Sequence, residues 1–292
     1  MASLKDVRNK ISGVGKTKQI TKAMNMVASA KLRGAQSRME KFRAYADRFH
    51  GVLQNLAASD MELVHPLLVP HEEVKTIGII LVTSDRGLAG AFNINIIAEA
   101  FKLAKAKQAE GKEVVFFCVG KKGRDAVRKS PFAIAKDMAG DMNTFDFSLA
   151  DRTGVEIISR YTALELDEVY LVYSEFVSLM RQIPTPQRIL PVVPKEVDAN
   201  APPQSRTEYT FEPAGQALMD VLLPRVVKAL IYWGLLSTST SEHAARMTAM
   251  DNATRNCDDL IRSLTRLFNK TRQAVITNEL IDIVGGVEAL KG

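Results

Sequence analysis

Residues 213–286 read PAGQALMDVLLPRVVKALIYWGLLSTSTSEHAARMTAMDNATRNCDDLIRSLTRLFNKTRQAVITNELIDIVGG, and the reading of this stretch decides the fold. Pro213 suits a first helical turn, where its missing N–H costs nothing, and Gly285-Gly286 supplies a left-handed stop. No proline follows Pro224, and the residues between are mostly good helix formers. At ~1.5 Å per residue such a helix reaches on the order of 100 Å, about three times the span of a compact small domain. No globular core buries a rod of that length. Its apolar positions near the end step by three and four through Met250, Ala253, Cys257, Leu260, Leu264, Leu267, Thr271 and Ala274, the seam of a coiled coil. The stretch therefore needs a helical partner.

The start of the chain supplies one. Ser3 followed by Asp6 resembles a capping box, and no proline occurs before Pro66. A heptad from Leu4 runs through Leu4, Val7, Ile11, Val14, Lys18, Thr21, Asn25, Ala28, Leu32, Ala35, Met39, Phe42, Ala46, Phe49, Leu53 and Leu56. Its polar exceptions, Lys18, Thr21 and Asn25, fall together, and polar seam positions set register at some cost in stability. The expectation is an antiparallel two-helix coiled coil made by the two ends of one chain.

Between the arms the pattern changes. Val74 to Thr83 reads as a buried strand, Asn93 to Ala109 as a helix, Glu113 to Val119 as a strand, and Gly120 to Lys129 as a short helix. Phe147 to Leu164 reads as a helix and Glu168 to Phe176 as a strand, while Arg188 to Val193 and Thr207 to Phe211 offer further strands. This alternation implies a small Rossmann-like α/β domain with a parallel sheet. The fold class is thus α/β, with a long antiparallel coiled coil: 1–60 the first helix, 61–212 the central domain, 213–286 the last helix. Pro194 to Arg206 reads as a loop.

The 292 residues are 46% hydrophobic and 25% charged, so disorder is not expected. No run of about eighteen apolar residues predicts a transmembrane helix, and no signal or transit region is expected ahead of the first helix. Cys118 and Cys257 are the only cysteines, which argues against a disulfide framework. The +6 charge is uneven: within residues 1–50, twelve bases from Lys5 to Arg48 face only Asp6, Glu40 and Asp47. That arm should seek an acidic surface. Its bases occur at nearly all helical phases without interleaved aromatics before Phe42, which favours a protein partner over nucleic acid.

Ser12-Gly13-Val14-Gly15-Lys16-Thr17 imitates the end of a P-loop, but Lys10 stands where the motif needs its first glycine and no strand precedes it. Ser84-Asp85-Arg86-Gly87-Leu88-Ala89-Gly90 joins a strand's carboxyl end to a helix, where anions bind, yet it does not complete G-x-G-x-x-G. A tight turn is the plainer reading. His50, His65, His71 and His243 lack metal-ligand spacing, and no nucleophile-base-acid set emerges. No cofactor or metal is expected. On residues alone a nucleotide-binding α/β enzyme with a coiled-coil oligomerisation arm stays open as the alternative to a helical interaction protein.

Four motifs carry a resemblance. Lys5-Asp6-Val7-Arg8-Asn9-Lys10-Ile11 with Thr17-Lys18-Gln19-Ile20-Thr21-Lys22-Ala23-Met24-Asn25-Met26-Val27-Ala28-Ser29-Ala30-Lys31-Leu32 resembles the first helix of F-type ATP synthase gamma subunits. Ser84 to Asn93 resembles that family's central signature, and Glu242 to Thr254 and Asn269 to Gly286 resemble its last helix. The resemblance implies a central-stalk rotor inside a ring of alpha and beta subunits, with the α/β domain forming part of a foot beside the epsilon subunit and the c-ring. It implies proton flow coupled to ATP synthesis, catalytic residues on other chains, and a peripheral place on the cytoplasmic face of a bacterial plasma membrane. By residue match, Met24, Arg272, Gln273, Thr277 and Glu279 stand where family members contact beta subunits, and Tyr209 near the foot. Ala89 replaces the cysteine common in the family's Gly-Leu-Cys-Gly loop, and the redox cysteine pair of chloroplast members has no counterpart. Small and polar residues Asn25, Ala28, Ser237 to Ser241 and Ala244 suit a surface that slides, and plain packing accounts for them equally.

Overall fold

The computed structural model describes residues 4–57, 65–192 and 215–290. In chain order the elements are α1 (Leu4–Ala57), β1 (Thr76–Val82), α2 (Phe92–Ala109), β2 (Glu113–Val119), α3 (Lys121–Val127), β3 (Ala133–Asp137), α4 (Phe147–Thr162), β4 (Glu168–Phe176), β5 (Gln182–Leu190) and α5 (Gly215–Ala289). Two compact units divide the chain: Met1–Ser29 with Arg246–Gly292, and Ala30–Ala245. Pro213 and the candidate strand Thr207 to Phe211 lie outside the described residues.

The larger unit holds a five-stranded sheet in the order β3-β2-β1-β4-β5. β1 lies parallel to β2 and β4, and β2 lies parallel to β3. β5, however, runs antiparallel to β4, so the sheet is mixed where a parallel one was expected. β3 and the first half of β5 lie outside the strands expected from sequence, for physical reasons. β3 is only five residues long and carries Lys136 and Asp137, too short and polar for a clear period. β5 starts at Gln182 and includes Pro184 and Pro186, residues that interrupt a strand pattern. An edge strand tolerates proline because one side of its backbone has no ladder to donate to.

Period-two alternation decides the core. Ile80 and Val82 of β1 join Phe117 and Val119 against Leu149, Ile157 and Tyr161 of α4 and Leu223, Val227, Ile231 and Leu235 of α5. Ile77, Ile79 and Leu81 face the other way with Phe116 and Cys118, onto Phe92, Ile96, Ala100 and Ala104 of α2. Burying each large aliphatic side chain stabilises the fold by about 1.5–3 kcal/mol relative to exposure. Phe42 of α1 meets Tyr232 of α5 edge-on at 4.9 Å, and the Arg38 guanidinium lies 5.5 Å from the Phe145 ring centre. An 18-residue window within Met219–Val287 reaches mean hydropathy 1.3, long and apolar enough to cross a membrane, but 56% of it is buried inside the fold. A core-packed helix accounts for that apolarity.

In the smaller unit the heptad holds. Val7, Thr21 and Ala28 of α1 are buried and Leu4, Ile11, Val14, Lys18 and Asn25 half-buried, while most positions between them are exposed. The last helix differs from expectation at its end: α5 runs through Gly285-Gly286 to Ala289. Both glycines have open space around them, so nothing there demands a left-handed turn.

Candidate functional site

The three polar interruptions of the α1 heptad prove to be its cross-helix anchors. Lys18 Nζ reaches Asp258 Oδ1 at 2.5 Å, and the Thr21 and Thr254 hydroxyls share a hydrogen bond of 2.8 Å. Asn25 Nδ2 donates to the Met247 carbonyl at 2.8 Å. As α1 numbers rise through 18, 21 and 25, their α5 partners fall through 258, 254 and 247, which makes the pair antiparallel. Directional bonds at the seam fix register where apolar knobs alone would allow a slip of one heptad.

The α5 seam lies partly in a different phase from the one expected. Met250, Cys257, Leu264 and Thr271 face inward as anticipated, but Thr254, Ile261 and Phe268 complete the row. Leu260 and Leu267 are each 47% exposed, and Ala274 is exposed. The two rows share every second member and differ by one residue between, so sequence spacing alone could not choose. From Arg272 to Val287 every residue is exposed, including Ile276, Leu280, Ile281, Ile283 and Val284.

Arg272, Gln273, Thr277 and Glu279 all stand on this exposed end of α5. The Thr277 hydroxyl is turned back to the Gln273 carbonyl at 2.9 Å, leaving its neighbours Arg272, Gln273 and Glu279 as the outward polar groups. Met24 is half-buried on α1 beside Asn25. Tyr209 lies outside the described residues.

Of the two readings open for Ser237 to Ser241 and Ala244, a sliding surface and plain packing, the structure bears out packing. All are buried. The ladder between β1 and β4 ends at the pair Leu81 and Val172, so β4 beyond Val172 has lost that neighbour. Ser237 Oγ accepts from Phe176 N at 2.9 Å and donates to Ser174 O at 2.9 Å, and Thr238 Oγ1 accepts from Ser174 N at 3.2 Å. Ser241 Oγ adds a bond to Ser174 O at 3.3 Å. The helix thus takes the backbone groups a strand would have taken, which meets the requirement that buried N–H and C=O groups be paired.

This geometry also bears on the α/β edge where ligands bind in doubly wound sheets. Chain order reverses between β1 and β4, and ligands of such folds sit beyond the strand ends at that reversal. Here α5 crosses it: Leu235 and Leu236 belong to one face of the sheet, and Ala245 packs against the other. The Ser84–Gly90 loop is likewise filled from within. Asn93 Oδ1 accepts from Ser84 N and Oγ, both at 3.0 Å, and Asp85 Oδ1 accepts from Lys121 N at 2.9 Å and Gly140 N at 3.0 Å. The Asp85 carboxylate thus ties the loop to the Lys121 and Gly140 N–H groups and places a negative charge there, which disfavours a bound anion. Among the described residues, no cluster of three or more His, Cys, Asp or Glu could hold a metal.

Both cysteines are free. Burial pushes the Cys118 thiol up to about 12, with Asp137 adding to the shift and Arg124 and Arg128 opposing it, whereas Cys257 is half-exposed on α5. A maleimide should therefore label the native chain once, at Cys257, and label Cys118 only after denaturation. Mass analysis of the labelled chain before and after denaturant checks this.

Together these elements define a coiled-coil protein whose α/β sheet is sealed by its own last helix. The chain belongs to the ATP synthase gamma-chain family: the family model described as ATP synthase matches residues 3–290. It is 62% identical to the ATP synthase gamma chain of Nitratidesulfovibrio vulgaris (strain DSM 19637 / Miyazaki F) over 293 residues, covering 100% of both chains. It is 57% identical to that of Maridesulfovibrio salexigens, again over 100% of both. Its fold is similar to a rotor chain of Euglena gracilis mitochondrial ATP synthase, with TM-score 0.65, 21% identity, and coverage of 94% of this chain and 98% of that one.

Proposed function

We propose that this chain is the central-stalk rotor of a proton-translocating F-type ATP synthase. In this reading residues 1–60 and 213–286 form the shaft within a ring of alpha and beta subunits, and 61–212 belong to the foot beside the epsilon subunit and c-ring. The observation that carries it is the exposed end of α5, a helix with apolar and polar residues outward over Arg272 to Val287, which suits a surrounding sleeve. Mechanically, proton flow turns the foot, and one asymmetric helix pair presents a different side to each beta subunit in turn. Differential contact is required, since a partner binding every state equally shifts none. The chain itself carries no catalytic group in this reading. Its place is peripheral, on the cytoplasmic face of a bacterial plasma membrane, held there through the complex.

Met24, Arg272, Gln273, Thr277 and Glu279 are proposed to contact beta subunits, and Tyr209 the foot. Arg272 and Gln273 are exposed, so removing them leaves the fold intact. Arg272→Ala or Gln273→Ala should reduce ATP-driven proton pumping roughly tenfold, the value of a lost charge-assisted hydrogen bond. Thermal unfolding of the free chain should not move. Wild-type pumping in both variants would remove these residues from the contact.

The nucleotide-enzyme alternative is opposed by α5 lying across the strand ends and by the Asp85 carboxylate of the loop, which holds the neighbouring Lys121 and Gly140 N–H groups. ATPase activity of purified alpha and beta subunits, with and without this chain, separates the two. Activity that rises only in the three-component mixture supports the rotor. Hydrolysis by the chain alone would return the Ser84–Gly90 loop to first place.

A further inference from the structure

We propose that Ser237, Thr238 and Ser241 form a hydroxyl lock that fixes α5 against rotation on the sheet, so that torque enters the helix at Ser174 and Phe176 of β4. The proposal rests on the rotor reading and names where, within the α/β unit, turning force crosses from sheet to helix.

Three observations carry it. First, the site is directional. Apolar contact between α5 and the sheet is non-directional and tolerates slip, whereas hydrogen bonds weaken steeply with misalignment. Ser174 N, Ser174 O and Phe176 N are each matched by a hydroxyl on α5. Turning the helix about its own axis would break all three at once.

Second, the hydroxyls are committed outward. A serine or threonine inside a helix commonly returns its hydrogen to the carbonyl four residues back, as Thr240 does to Leu236 O at 2.8 Å. Ser237 and Ser241 donate to the strand instead. The strand groups are available on this side because the ladder to β1 has already ended at Val172.

Third, the helix is pressed to the strand at this point. Gly234 lies on the same face as Ser237, Thr238 and Ser241, and a Cβ there would stand 2.8 Å from Leu171 Cδ2. Glycine allows close approach, and close approach brings short hydroxyls within reach of a strand backbone. The helix then continues without interruption to Ala289.

The test uses the assembled complex with the double variant Ser237→Ala and Ser241→Ala, and Thr240→Val as the control whose hydroxyl bonds only its own helix. Rotor fluctuation is read from a bead attached to the α/β unit while the alpha/beta ring is immobilised, together with hydrolysis and proton pumping. Each hydrogen bond removed should raise the slipped-to-locked ratio about fivefold. The double variant is expected to hydrolyse ATP within about twofold of wild type, to widen angular fluctuation at least about twofold, and to pump several-fold less per ATP. The control should match wild type in all three. Fluctuation and pumping equal to wild type in an assembled double variant overturn the lock, as does equal widening by Thr240→Val. If the double variant does not assemble, Ser241→Ala alone, lacking only the 3.3 Å bond, must show the same widening at smaller amplitude, and no widening overturns the proposal. A wild-type chain that does not turn in the ring brings down the rotor reading and the lock with it, an outcome distinct from failure in the variants alone.

Discussion

The full chain carrying Gly120→Ala is expected to lose its α/β domain cooperatively, at a cost above about 4 kcal/mol, the range of exceptional single substitutions. Gly120 follows β2 and precedes α3 with φ at 99°, a backbone region L residues avoid. A Cβ there would run into the Thr83 carbonyl, which is backbone and cannot move aside. Thr83 is itself fixed, since its N–H donates to Val119 O at 2.8 Å and its Oγ1 accepts from Gly123 N at 2.8 Å. Relief would require parting the ends of β1 and β2. Gly111→Ala makes the comparison that isolates the clash: its φ is 80°, but nothing lies within 4 Å of the added carbon. That variant should cost only the strain of a left-handed residue, about 1 kcal/mol. Far-UV and near-UV circular dichroism with thermal melts reads both, and two equal melts would refute the backbone clash.

Asp167→Ala should be the next most damaging change described here. Asp167 Oδ2 accepts from Lys75 N and Thr76 N, both at 2.8 Å, and Oδ1 pairs with His71 Nδ1 at 2.8 Å. His71 in turn stacks on Tyr161 at 4.5 Å, whose hydroxyl donates to Val69 O at 3.0 Å. One buried carboxylate thus ties the segment entering β1 to the start of β4. Its removal leaves two N–H donors and a histidine without their acceptor, which costs about 3 kcal/mol. At ~2–4 °C per kcal/mol the melting temperature should fall by about 6–12 °C.

The pH dependence of that loss has a definite sign. Burial pushes the Asp167 carboxyl up, but the Thr76 N–H, His71 and the Lys75 N–H outweigh it and hold the group below its ordinary 3.8. A depressed carboxyl contributes stability that is present above its unfolded value and lost as pH falls through the folded one. His65 is also depressed, by burial against the opposing pull of Asp220, so its contribution is present above about 6.5 and is lost as pH falls through its lower folded value. Wild type should therefore weaken in two acid steps, and Asp167→Ala should show a smaller lower one. An unchanged lower step would show that another carboxylate dominates acid unfolding.

Much of this was legible from residue spacing. The α1 heptad could be read because a repeat of seven over many turns has few competing explanations, and Lys18, Thr21 and Asn25 stood out as a polar cluster within it. What each of them bonds could not be read, because Asp258, Thr254 and the Met247 carbonyl are more than 200 residues away in sequence. The phase of the α5 seam failed for a related reason. Leu260 and Leu267 are as apolar as Ile261 and Phe268, and only the position of α1 decides which row is covered. Ser237, Thr238 and Ser241 left a sliding surface and plain packing equally open, because small polar residues carry no label of burial.

The sequence by itself determined the two long helices, the three central strands and the charge of the first arm, since each rests on local period, local propensity or composition. The tertiary structure alone decided that β5 runs antiparallel at the edge, that Asp85 takes the Lys121 and Gly140 N–H groups, and that α5 hydroxyls complete β4 where β1 ends. Those outcomes depend on which backbone groups are left unpaired after the sheet has formed. A hydrogen bond to a distant strand has no period along the chain, so its direction exists only once both elements are in place.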